Sequence, residues 1–227
     1  MIWLYIYLLL IILDNKCVHI LGSNVNDSSI DSRSGSTANN IPIISAGQTA
    51  YVGIYYEQNN YYDNIMLTGL RTMMKTVSES GTTRDRIVLI LPHTKQSTRD
   101  ILLADGLQLV EASPTLYNNA QNKCWYEFRV IDLFQLVQYK RIVYLDSDHL
   151  VVNNMDELFL CGEYCMQYNS LIHFTDTVFV IKPNMIKYDM LIQKFHSLSY
   201  NQHPPKFCID EASVFWILAF GDIEAGV

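Results

Sequence analysis

The chain has 227 residues, 49% of them hydrophobic and 17% charged, and a formal net charge of −7. That length buries one substantial core, and the composition excludes a disordered chain. The acidic balance excludes a generic nucleic-acid surface, which needs a basic face, so a ligand phosphate must be neutralised by a metal, by backbone amides or by single basic residues.

Residues 2–13 form an apolar stretch too short to span a bilayer comfortably but suited to a signal-peptide core, without a basic segment ahead of it. Segment 1–22 is therefore read as a signal peptide, with Gly22 a small residue for cleavage, or as an uncleaved membrane anchor. Either reading leads to the secretory pathway, in the ER or Golgi lumen, or to secretion. Asn26-Asp27-Ser28 is a glycosylation sequon. Residues 23–47 are rich in Ser, Asn, Asp and Gly and read as a polar linker, with the folded domain over 48–227. Of five cysteines, Cys17 falls in the processing segment. That leaves Cys124, Cys161, Cys165 and Cys208, an even number in an oxidising compartment. Cys161 and Cys165 are close enough to pair across a short loop; buried free thiols are the alternative.

The folded part opens with an uncharged β-rich run over 50–56. A helix follows over 64–80, with Ile65, Met66, Leu70, Met73, Met74 and Val77 at helical spacing and Gly81 at its end. A strand over 86–91 closes at Pro92, a short helix covers 97–104, and a third strand covers 107–110. Residues 127–139 are amphipathic and read as a helix. They lead into Arg141-Ile142-Val143-Tyr144-Leu145, an apolar run expected to be a strand buried on both faces. Strands alternating with helices indicate an α/β fold, a doubly wound and mostly parallel sheet flanked by helices. After Asp148 the pattern changes. A short helical stretch over 155–160, a strand over 177–181 stopped by Pro183, and helices over 185–198 and 209–220 complete it. There is no internal repeat.

Asp146-Ser147-Asp148 follows the buried strand at once. Period-two alternation lets the two carboxylates lean to one side while Ser147 turns away. The carboxyl ends of strands are where open α/β sheets bind ligands. Two hard oxygen donors there suit Mn²⁺ or Mg²⁺ together with substrate phosphate oxygens. A solvated turn, with the carboxylates capping local amides, is the bland alternative. A phosphatase of the haloacid dehalogenase type also opens on Asp-x-Asp, but there the motif follows the first strand of the domain, and here three strands precede it.

From Tyr51 onward the chain resembles glycosyltransferase family 8, the glycogenin-like group. It is most similar to the branch holding plant glucuronosyltransferases that act on inositol phosphorylceramide or xylan. The resemblance is carried by the run from Tyr139 to Asp148 and on to Phe159, where the family form is close to YKRVVYLDADTLVVKNIDELF. Cys161 and Cys165 look like that branch's paired cysteines, and the run from Thr177 to Asn184 like its apolar strand. The resemblance implies a GT-A fold of Rossmann type and a UDP-sugar donor. It also implies Mn²⁺ (or Mg²⁺) and transfer, with retention, to a glycan, glycolipid or protein acceptor. Asp146 and Asp148 are then the metal ligands, with Asp146 also on the ribose and Ser147 between them. Val52, Gly53, Ile54 and Tyr55 hold uracil by their backbone, and Tyr61 or Tyr62 stacks on it or packs against the sheet edge. Asp210, in the place of the family's Asp-Gln-Gly, faces the donor sugar. Asp176, where the family has Asn-Ser-Gly, binds sugar hydroxyls or is a solvated loop residue.

The chain departs from the family elsewhere. The usual threonine after Val52 is Gly53, and the usual basic residue before the motif strand falls on Val130. Arg129 lies about 100° away from that position round an α-helix, and Arg71 is the alternative cation. The family's third metal ligand, a histidine beyond the Asp-Gln-Gly helix, has no counterpart before Val227, so the domain is read as lacking its C-terminal part. A member that binds nucleotide or a partner without transfer is the competing reading.

Overall fold

Thr49–Tyr55 (β2) is buried at every position. Its even-numbered residues Ala50, Val52 and Ile54 enter one apolar cluster, and Tyr51 and Tyr55 enter another on the opposite face. A strand with no polar face has to be covered on both sides, and that requirement sets the layers of the molecule. The computed structural model describes residues 18–19, 48–57, 63–112, 123–162, 164–170 and 173–201. The rest of segments 1–22 and 23–47, Tyr61, Tyr62, Cys208, Asp210 and the helix expected over 209–220 lie outside the described residues.

Seven strands form one sheet, in the order β1-β6-β7-β5-β2-β3-β4. They are β1 (Val18–His19), β2, β3 (Asp85–Ile90), β4 (Gln108–Glu111), β5 (Arg141–Leu145), β6 (Tyr164–Ser170) and β7 (His173–Ile181). The run β5-β2-β3-β4 is parallel throughout, as βαβ alternation requires. β7 pairs antiparallel with β5, β6 with β7, and β1 with β6. The strand expected over 177–181 starts earlier, at His173, so Asp176 is in a strand and not in a loop. β6 has no counterpart among the expected elements. Its sequence, Tyr-Cys-Met-Gln-Tyr-Asn-Ser, has no apolar alternation to mark it.

Helix α1 (Asp63–Glu79) covers one face through Leu70, Met73, Met74 and Val77, an i, i+3, i+4, i+7 stripe. It lies directly on β2 at Gly53, where an added Cβ would come 2.4 Å from Leu70 Cδ1 and 3.1 Å from Met73 Cε and Met74 Cε. Gly81, at φ 80°, turns the chain out of the helix in a conformation that disfavours any side chain. Helix α2 (Gln96–Ala104) adds Leu102 to the same layer. The other face is covered by the segment Lys123–Gln135 and by α3 (Met185–Asn201), through Val130, Ile131, Leu133, Phe134, Tyr188, Leu191 and Ile192. The Asn184 side chain caps α3, its Oδ1 accepting from the amides of Ile186 and Lys187 at 2.8 and 3.2 Å.

Lys123–Gln135 is a 3-10 helix and not the α-helix that its amphipathic pattern suggests. At three residues per turn, Arg129, Asp132 and Gln135 stack in one row. An α-helix would swing each successive member of that row about 60° off the last. All three are polar, while their buried neighbours Val130, Ile131, Leu133 and Phe134 are apolar. Over residues 129–135 the tighter winding separates this polar row from its apolar neighbours.

Candidate nucleotide-sugar site

β2 has β3 on one side and β5 on the other, so the strand order reverses at β2. Ligands in open α/β sheets settle at such a point, beyond the carboxyl ends of the two strands. The ladders diverge there as well: β2–β5 pairing ends at Val52 opposite Tyr144, while β2–β3 pairing continues to Tyr55 opposite Ile90. The last three residues of β2 thus extend past the recorded pairing with β5. Val52, Gly53, Ile54 and Tyr55 lie along this edge, with the Gly53 α-carbon turned against α1.

The motif sits at the end of β5, on a turn. β5 finishes at Leu145, so strand alternation does not govern the two carboxylates. The His149 amide donates to the Asp146 carbonyl at 3.2 Å and closes the turn. Ser147 is buried, and its amide donates to Asp146 Oδ1 at 2.6 Å. Asp146 is mostly covered, with its side chain 24% exposed, whereas the Asp148 side chain is 76% exposed. α1 fixes the turn from one side: a Cβ at Gly69 would come 2.6 Å from the Ser147 carbonyl oxygen. The following residues run back along the same helix. The Val151 amide donates to Thr76 Oγ1 at 3.0 Å, and Asn154 Nδ2 donates to the Ser80 carbonyl at 3.4 Å. Asp156 accepts from Tyr51 Oη at 2.9 Å and Thr82 Oγ1 at 2.6 Å, and pairs with Arg84 at 3.4 Å. Beyond it the strap ends at the Cys161–Cys165 disulfide. Arg141 donates to the carbonyls of Cys161 and Gly162 there.

Arg129 is the functional candidate that an α-helical reading misplaces. It is buried, and Nη2 lies 3.8 Å from Asp146 Oδ1. The 3-10 segment thus carries it to the motif turn. Arg71 is placed elsewhere. It is paired with Asp105 through Nε–Oδ2 at 2.5 Å and Nη2–Oδ1 at 3.0 Å, about 200° round α1 from Gly69. That hydrogen-bonded pair holds the Asp105 carboxyl below, and the Arg71 guanidinium above, their usual ranges.

Two further ties hold the end of β2. Tyr56 Oη donates to Asp132 Oδ2 at 2.6 Å, and Gln135 Nε2 donates to Oδ1 at 3.0 Å. Burial pushes the Asp132 carboxyl up to about 7 against the pull of those two donors. Buried Glu57 accepts from the Lys95 amide at 3.0 Å and pairs with Lys95 Nζ at 2.5 Å. In the antiparallel ladder Leu145 faces Val178, so the backbone of residue 176 lies just beyond the end of β5, at the motif's end of the sheet.

Two carboxylates on one turn, one of them open to solvent, form a hard-oxygen donor set that fits Mn²⁺ or Mg²⁺. Among the described residues no three His, Cys, Asp or Glu side chains converge as a complete ligand set.

The parallel half-sheet, the switch-point crevice and the antiparallel strands beyond β5 are those of a GT-A fold. The solved structure of a transferase, a cysteine-to-serine double mutant, matches with a TM-score of 0.52 at 9% identity, over 77% of this chain and 86% of that one. No protein-family model matches the chain. Its sequence relatives include glucuronosyltransferases of Arabidopsis thaliana. Inositol phosphorylceramide glucuronosyltransferase 1 is 27% identical over 157 residues, 68% of this chain and 28% of that protein. UDP-glucuronate:xylan alpha-glucuronosyltransferase 1 is 27% identical over 159 residues, 67% of this chain and 24% of that protein. The chain thus spans less than a third of the length of these relatives.

Proposed function

We propose that the protein transfers a hexosyl or glucuronosyl group from a UDP-sugar to a glycan, glycolipid or protein acceptor, with retention of configuration. The observation that carries this reading is the Asp146-Ser147-Asp148 turn at the switch point, with buried Arg129 beside Asp146. Both relatives named above are glucuronosyltransferases, and the xylan enzyme uses UDP-glucuronate, which favours glucuronate as the first donor to try.

Asp146 and Asp148 would hold Mn²⁺ or Mg²⁺, which when bound supplies positive charge against the diphosphate as that group takes on negative charge. Arg129 fixes the Asp146 carboxylate and adds a cation in a largely dry setting. The backbone of residues 52–55 reads the uracil edge, with Tyr62 the proposed stacking partner. Asp176 is assigned to the sugar hydroxyls, and Asp210 to the face of the donor sugar. In the transfer, the bond from the anomeric carbon to the phosphate oxygen breaks. The acceptor oxygen bonds to that carbon on the same face, and its proton leaves with the departing phosphate. Arg71 has no assigned part, because Asp105 holds it on another face of α1. Segment 1–22 would direct the protein to the secretory pathway as signal peptide or anchor.

Calorimetric titration with UDP, with and without Mn²⁺, followed by transfer assays with UDP-glucuronate and neutral UDP-sugars, tests the reading. UDP binding that requires Mn²⁺ and is lost in Asp148→Asn, with the fold retained, is expected. UDP binding in Asp148→Asn equal to wild type would remove the metal role. Mn²⁺-dependent binding without transfer to any acceptor would select the nucleotide-binding alternative.

A further inference from the structure

His149 closes the motif turn, and neither the donor nor the metal reading uses its ring. The ring folds back so that Nδ1 lies 2.6 Å from Asp148 Oδ1, on a bent approach. The two partners differ in their surroundings: the imidazole is 16% exposed and the carboxylate 76% exposed.

An exposed aspartate on a turn samples several χ1 wells and a broad χ2. A cation that needs one of those orientations has to select it on binding, at a cost in conformational entropy. A packed ring that touches one oxygen of the carboxylate removes much of that freedom in advance. The approach is too bent for a hydrogen bond, so the ring acts on Oδ1 as a close polar contact and leaves Oδ2 open for a cation. Partners of this kind behind a ligating carboxylate govern how tightly a metal is held.

We propose that His149 is a positioning residue that holds the Asp148 carboxylate in the orientation that receives a divalent cation. The inference rests on the metal-binding reading of the motif. Its scope is narrower, because it assigns to one side chain the orientation of one ligand.

The test is titration of the full chain with Mn²⁺ in the presence of UDP, following the electron-paramagnetic signal of free Mn²⁺, with thermal melting in parallel. His149→Leu, which keeps bulk without a donor, is expected to weaken Mn²⁺ binding about 10–100-fold. His149→Asn places an amide N–H near the position of Nδ1 and is expected to stay within about threefold of wild type. Should His149→Leu fail to fold, His149→Ser removes the reach of the donor without adding bulk and is expected to show the same loss. Binding in the Leu or Ser variant equal to wild type overturns the inference while leaving the metal reading intact. Tighter binding in either variant also overturns it, since the ring would then stand in the ion's place. Absence of Mn²⁺ binding by wild type with UDP overturns the metal reading itself, and the inference with it.

Discussion

Asp132 is a buried carboxylate held by two neutral donors, Tyr56 and Gln135. Its folded-state pKa of about 7 lies above the ordinary aspartate value of 3.8. Between roughly pH 4 and pH 7 the folded protein keeps a proton there that the unfolded chain has released. Stability from this residue is therefore greatest below that window, falls as pH rises through it, and levels off above about pH 7, a change on the order of 4 kcal/mol. Asp132→Asn keeps the shape and removes the titration. The melting temperature of wild type relative to Asp132→Asn is expected to decline between about pH 4.5 and 7 and then flatten. A difference that is flat with pH would show that Asp132 is ionised throughout.

At the scale of elements, the motif turn owes its place to contact with α1. Gly69→Ala would drive a Cβ to 2.6 Å from the Ser147 carbonyl, a backbone atom that cannot swing aside as a side-chain tip can. The expected result is a displaced turn, with UDP–Mn²⁺ affinity reduced about tenfold or more, because misplacement by an ångström is costly at such sites. Helicity by circular dichroism is expected to be preserved, since alanine is the better helix former. The parts of this arrangement differed in how far the sequence disclosed them. The stripe of α1, the buried β2 and β5, and the carboxylates at the end of β5 were legible, because each is written in local period or adjacency. Arg129 over Asp146 was not. Its direction depends on whether the segment winds at 3.0 or 3.6 residues per turn, and amphipathicity alone does not choose between them. β6 was hidden because its pairing is with β7 and its own residues show no alternation. The His149–Asp148 contact was hidden as well, because neighbours on a turn meet or part according to rotamer.

For the whole molecule, the central position of β5 matters most. It is paired with β2 on one side and with β7 on the other, and β7 arrives only after the strap and β6 have been laid down. The parallel half of the sheet therefore cannot close on residues that precede it. A chain ending at Gly162 would leave Ile142, Val143, Tyr144 and Leu145, all buried, on an open edge. Such an apolar edge invites pairing between chains. This truncation is expected to be insoluble or to elute as aggregate in size-exclusion chromatography. A monomeric, cooperatively melting fragment would show that the parallel half is self-sufficient. The Cys161–Cys165 bond lies at the point where the chain passes from one half to the other.

Gly53 and Leu70 occupy one volume between them: the space where a side chain at 53 would begin is filled by the tip of Leu70, flanked by Met73 and Met74. A side chain at 53 therefore requires the Leu70 tip to swing aside or to be trimmed, while trimming Leu70 alone leaves a cavity. The two positions are coupled through packing against α1 and not by contact with any ligand.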